Sequence, residues 1–226
     1  MIYALAGLAF GLFIPYIARR FAKFMPATLA YGLYRILRPS KKVASEKRRA
    51  NWHYAKMLSQ YRWRSIMWGV LTAGLSFFAY FEWGGELIWW KICFIWVLLL
   101  LAEIDIRMQL LPDILTIPLL LLGFAAAAWV GLWVTPFEAA SGAMVGYFMP
   151  VAVSLLFVWK NQDAFGGGDI KLLAAIGAWF GIEELMMTVV LACVVFGVYA
   201  AIVRKRQGAF GPAIVVGALA TAFYYF

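Results

Sequence analysis

Long apolar runs broken by short polar connectors organise this chain. Eight runs stand out, at roughly 1–18, 65–82, 87–104, 114–134, 139–159, 170–181, 185–203 and 209–226. They lack the alternation of half-buried strands and most approach the ~20 residues that carry a helix across a bilayer, so each predicts a helix. Between them lie a long polar stretch at 19–64, the connector "DIRMQLLPD" at 105–113, the loop "KNQDAFGGGD" at 160–169 and the basic run "RKRQG" at 204–208. The sixth run is short and bounded by glycines.

Composition turns this pattern into a fold class. Of 226 residues, 65% are hydrophobic, well above the ~45–50% of soluble domains. One globular core cannot hide that excess. The expected fold is all-α, a polytopic membrane protein with about eight transmembrane helices. Residues 1–64 would form a first helix and a large basic loop, and 65–226 a membrane core. No cleavable signal peptide is expected, because the first run ends in Arg19-Arg20 without a small-residue cleavage pattern or a preceding basic region.

Charge then sets orientation. The net charge is +9, which in such a chain points to cytoplasmic loops before nucleic acid. With the N-terminus outside, the segments 19–64, 105–113, 160–171 and 204–208 face the cytoplasm and hold 19 of the 20 Lys and Arg residues, Lys91 being the exception. The outer connectors carry Glu82, Glu86, Glu138, Glu183 and Glu184. Thirteen bases between Arg19 and Arg64 face one acid, Glu46, and anionic lipid is their expected partner. The two cysteines, Cys93 and Cys193, lie far apart in apolar runs, and His53 is the one histidine. Neither a disulfide framework nor a zinc site is indicated. Tryptophans at 63, 68, 83, 89, 90, 129, 133 and 159 fall near predicted span ends, where an interfacial belt accounts for them.

The acids at the cytoplasmic span ends carry the candidate chemistry. Glu103, Asp105, Asp113, Asp163 and Asp169 all read first as solvated interface residues, balanced by Arg107 and Lys171. Asp169 fits that reading least. It follows Gly166, Gly167 and Gly168, which open backbone conformations closed to other residues and permit close approach. A phosphate loop is not indicated, since both a Gly-Lys-Ser/Thr ending and a βαβ setting are missing. Two carboxylates that meet can share a proton, one acting as base on water and the other as acid toward a carbonyl. Spacing alone does not bring Asp105 and Asp169 together.

"GGGD" at 166–169 fits the G-x-G-D motif of intramembrane aspartyl proteases, and "FGGGDIKLLAAIGAWFG" resembles the type IV prepilin peptidases. "EIDIRMQLLPDILTIPLLLLGF" (103–124) is similar to that family's other aspartyl signature, "AFGPAIVVGAL" (209–219) to its last helix and "AGLAFGLFIPYIARR" (6–20) faintly to its first. The resemblance is specific from about 87 onward. It implies Asp105 and Asp169 as the catalytic pair, with Asp113, Lys171 and Gly166–Gly168 shaping the site. It also implies a bacterial inner-membrane endopeptidase that cuts the basic leader of prepilins or pseudopilins after a glycine, on the cytoplasmic side. No cofactor is expected for the peptidase. S-adenosylmethionine enters only if the chain also methylates the new N-terminus. Many relatives carry paired C-x-x-C zinc motifs in the first loop; residues 19–64 hold no cysteine, so no zinc is expected and methylation is left open.

Two other classes stand beside this one. A proton-coupled transporter could carry protons on the same aspartates, but it favours internal repeats and broken helices at the midplane. No repeat is apparent here, and the acids lie at the membrane edge. A noncatalytic scaffold would have no use for three glycines beside Asp169.

Overall fold

In a computed structural model the protein is described at residues 1–24, 51–85, 87–158, 166–203 and 208–226. The stretch 25–50, Glu86, Asp163 and most of the 204–208 run lie outside the described residues, as does the side chain of His53, so the expectations placed there stay untouched. Eight α-helices are described: α1 (Ile2–Phe24), α2 (Asn51–Trp83), α3 (Ile88–Met108), α4 (Asp113–Ala125), α5 (Pro136–Val158), α6 (Gly167–Phe180), α7 (Ile182–Val203) and α8 (Gly211–Tyr225). No strand occurs among the described residues. Among the described residues three spans are long and apolar enough by themselves to cross a bilayer, Ile2–Arg19, Asp113–Val130 and Ile182–Val203. In its described residues the protein has the all-helical, apolar make-up of a membrane protein.

Helix ends differ from the apolar pattern where helices continue in polar sequence. The polar stretch expected as loop from 19 to 64 is partly helical, since α1 runs to Phe24 and α2 starts at Asn51. Helical backbone hydrogen bonding needs no apolar side chains, so the apolar run marks the bilayer and not the helix. The fourth run closes in one π turn, Ala126–Val130, and stops at Gly131, whose φ of 58° is left-handed.

The chain divides into two compact units, Met1–Phe78 and Ala79–Phe226. In the first, α1 lies tightly on α2. A Cβ at Gly11 would come within 2.7 Å of Gly69 Cα and Thr72 Oγ1, and one at Gly7 within 2.6 Å of Ser76 Oγ. Small residues four apart allow such approach between membrane helices. Thr72 and Ser76 satisfy their buried hydroxyls on carbonyls one turn back, Trp68 O at 2.6 Å and Thr72 O at 2.7 Å.

In the second unit, α6 is the central post. Every residue from Leu172 to Phe180 is buried, the mark of a helix that is covered all round. Against α5, Gly142 and Gly177 meet backbone to backbone, so that a Cβ on either would run into the other's carbonyl oxygen. Against α4, the Trp179 indole N–H donates to Leu119 O at 2.9 Å, and Gly123 makes room for the ring. Helices α7 and α8 join through a Thr188–Thr221 hydroxyl bond of 3.1 Å, with Gly217 seated on Thr188 O. At the end of α3 away from Asp105, Phe94, Trp133, Trp179, Phe180 and Phe226 pack ring on ring. Lys91 Nζ stands 5.3 Å from the centre of a Trp83 ring and 5.9 Å from one of Trp133. Trp83 and Trp133 therefore belong to this cluster and not simply to an interfacial belt, whereas Trp129 is exposed.

Candidate active site

The two aspartates are presented by helix ends in different ways. Asp105 sits in the last turn of α3. That helix ends at Gln109, whose left-handed backbone (φ 51°) lets its N–H donate to Asp105 O. The chain then runs extended through Pro112, and α4 opens at Asp113. Asp169 occupies the third position of α6, behind the extended cap residue Gly166. There it accepts the Gly166 N–H, half of a capping box, and meets the positive end of the helix.

Asp105 is buried, at 4% exposure, and Asp169 is half-buried. Asp105 Oδ2 accepts the Gly211 N–H at 2.9 Å, a bond from the first residue of α8. Both carboxylates lie just beyond the apolar runs 87–104 and 170–181. Burial pushes Asp105 above the ordinary carboxylate range, and the Gly211 N–H holds it back. Burial and the Asp105 charge push Asp169 up to about 6, against a pull down from the Gly166 N–H. The charges of the two groups thus act on each other, and Asp169 keeps its proton up to about 6. Such a pair can offer a base and an acid together.

The other expected site residues separate. Lys171 Nζ grips both oxygens of Asp113 at 2.7 Å, tying the first turn of α6 to that of α4. Both side chains are exposed by more than a third. Glu103 is fully buried and accepts from Arg107 one turn on. Among the three glycines none has positive φ, so conformational freedom is not their reason. Gly168 is required by space, since a Cβ there would fall 2.8 Å from Leu111 Cβ. Gly167 faces open space and Gly166 comes near only Asp169. Sequence reasoning missed Gly211 and Leu111. Neither has chemistry of its own, and each meets the site across the fold. Among the described residues no group of three or more His, Cys, Asp or Glu is placed to hold a metal.

The type IV leader peptidase family model matches residues 92–201, which include both aspartates, Asp113 and the glycine run. The chain is similar to the prepilin leader peptidase/N-methyltransferase of Dichelobacter nodosus, 34% identical over 166 residues, 71% of this chain and 58% of that protein. It is also similar to the same-named protein of Klebsiella pneumoniae, 45% over 104 residues and 42% of each chain. With that of Escherichia coli K12 it shares 37% over 140 residues, 58% of this chain and 60% of that protein. The chain thus spans about half the length of the curated relatives it matches. No solved structure matches it.

Proposed function

From the match of residues 92–201 to the type IV leader peptidase family model and the likeness to named relatives, we propose that the chain is a membrane aspartyl endopeptidase that removes the basic leader of prepilins or pseudopilins. The observation that carries this reading is the coupled pair, Asp105 held by the Gly211 N–H and Asp169 keeping its proton to about 6. Asp105 as carboxylate takes a proton from water. The water oxygen adds to the scissile carbonyl carbon while Asp169 gives its proton to the carbonyl oxygen. Collapse of the resulting gem-diol breaks the C–N bond, and a proton held by the pair passes to the leaving amine. Asp113, Lys171 and Gly168 fix the first turn of α6 from which Asp169 projects. The topology proposed with it has eight spans, the N-terminus outside, the aspartates toward the cytoplasm of a bacterial inner membrane, and residues 1–64 as a first helix and basic segment attached to the core 65–226. Anionic lipid is the proposed partner of the basic segment, and nucleic acid has no role. No observation favours the transporter reading.

The relatives' names also include N-methyltransferase. S-adenosylmethionine would need acceptors for its ribose and amino-acid head. The groove of about 570 Å³ on α4, between Pro118 and Trp129, is lined by apolar residues and the Trp129 ring, which does not fit that need. No methyl-transfer step is assigned to the described residues.

The test uses the purified full chain with a prepilin bearing a short basic leader. Asp105→Asn and Asp169→Asn should each abolish leader loss without loss of folded protein. The double variant should be no worse, because the pair acts as a unit. Substantial cleavage by Asp169→Asn would sink the assignment.

A further inference from the structure

We propose that Gly211 is the positioning residue for Asp105: its backbone N–H fixes the carboxylate and makes Asp105 the ionised member of the pair, a role open only to glycine at that position. This rests on the aspartyl reading above and deepens it.

Gly211 opens α8, so its N–H is one of the donors that no helical carbonyl can take. It points instead at Asp105 Oδ2, 2.9 Å away. Pro212 follows and offers no competing N–H. An added Cβ at 211 would lie 2.6 Å from the same oxygen and 3.0 Å from Cγ. The carboxylate therefore rests against the bare α-carbon, and any side chain would drive it off its donor. A hydrogen bond to the charged form favours that form. The other groups around the pair do not do this for Asp105. On α3, Glu103 is itself acidic and occupied with Arg107. On α6, Asp169 repels a second negative charge, and Lys171 is turned onto Asp113 of α4. Helix α8 carries no Asp, Glu, His, Lys or Arg. The Gly211 N–H is the one favourable partner that the structure describes for an Asp105 carboxylate side chain.

The experiment measures kcat/KM for leader cleavage against pH, with the full chain in detergent and a basic-leader prepilin. Gly211→Ala adds the clash. Replacing the Phe210–Gly211 amide by an ester removes the donor and adds no atoms to α-carbon 211, so it tests the bond even where Gly211→Ala folds poorly. Both changes should lower kcat/KM about tenfold or more and move the acid limb of the profile up by about one pH unit, the size expected for a lost hydrogen bond to a charge. Gly217→Ala, a packing glycine on the same helix, should lower the thermal midpoint and leave the limb in place. A wild-type limb in the ester variant, or an equal move in Gly217→Ala, would overturn the proposal. Asp105→Asn separates the two levels. If that variant cleaves, the aspartyl reading itself falls. If it is inactive while the ester variant is normal, only the role of Gly211 falls.

Discussion

Asp169 carries a consequence for stability as well as for chemistry. Its value of about 6 in the folded chain lies above the ordinary 3.8. The folded state therefore holds a proton that the unfolded state releases between those values. The contribution of Asp169 to stability is fully present below about pH 4 and is lost as pH rises through 6. Thermal midpoints in detergent should drop between pH 4 and 7 in the wild type and drop less in Asp169→Asn; parallel drops would refute the shift. The glycine run gives a sharper contrast. Gly168→Val should lose most cleavage, because Leu111 blocks the new side chain, while Gly167→Ala should keep it, having open space. A leader-cleavage assay on membranes with matched protein levels would check the pair. The sequence made Asp169 conspicuous and its neighbouring glycines suspicious. It put Gly167 with Gly168 and did not part them, because the atom that does so is on residue 111. Nor could it show the Gly211 bond, which joins residues 106 apart.

At the scale of elements, apolar runs located the helices well in the core. The run at 139–159 became Pro136–Val158, and 185–203 lies within Ile182–Val203. The start of α2 at Asn51 was illegible because that part of the helix carries polar residues. Close packing between helices went unread in the apolar runs, because it rests on which small residues face each other across the fold. Gly142 and Gly146 stand four apart on α5, and both press on α6. Gly177→Ala should destabilise the fold by about 1–3 kcal/mol, as overpacking of a tight contact does. It should also reduce cleavage, since Asp169 rides on the same helix and small displacements of a reacting group are costly. Chemical unfolding followed by tryptophan fluorescence would measure the first effect. An unchanged midpoint would mean that α5 and α6 yield freely.

For the whole molecule, the distribution of lysine and arginine makes a topological claim that labelling can check. In a chain freed of Cys93 and Cys193, a cysteine at Ser40 should react with an impermeant thiol reagent only from the cytoplasmic side, and one at Thr135 only from the outside. Reaction of both from one side would reverse or break the proposed arrangement. Composition and charge were enough to propose that arrangement. The distance between the two carboxylates was beyond them, because it depends on how α3 and α6 meet.

The link after α3 reaches α6 at Leu111, which is 5% exposed and lies with its Cβ and backbone against the bare face of Gly168. It acts as a shim. The atoms in contact are ones that every residue but glycine carries, so the spacing is set by backbone and Cβ and not by the length of the leucine side chain. Leader cleavage should therefore fall further in Leu111→Gly, which removes the shim, than in Leu111→Ala, which keeps it, and that loss would be mechanical in origin, with both aspartates still in place.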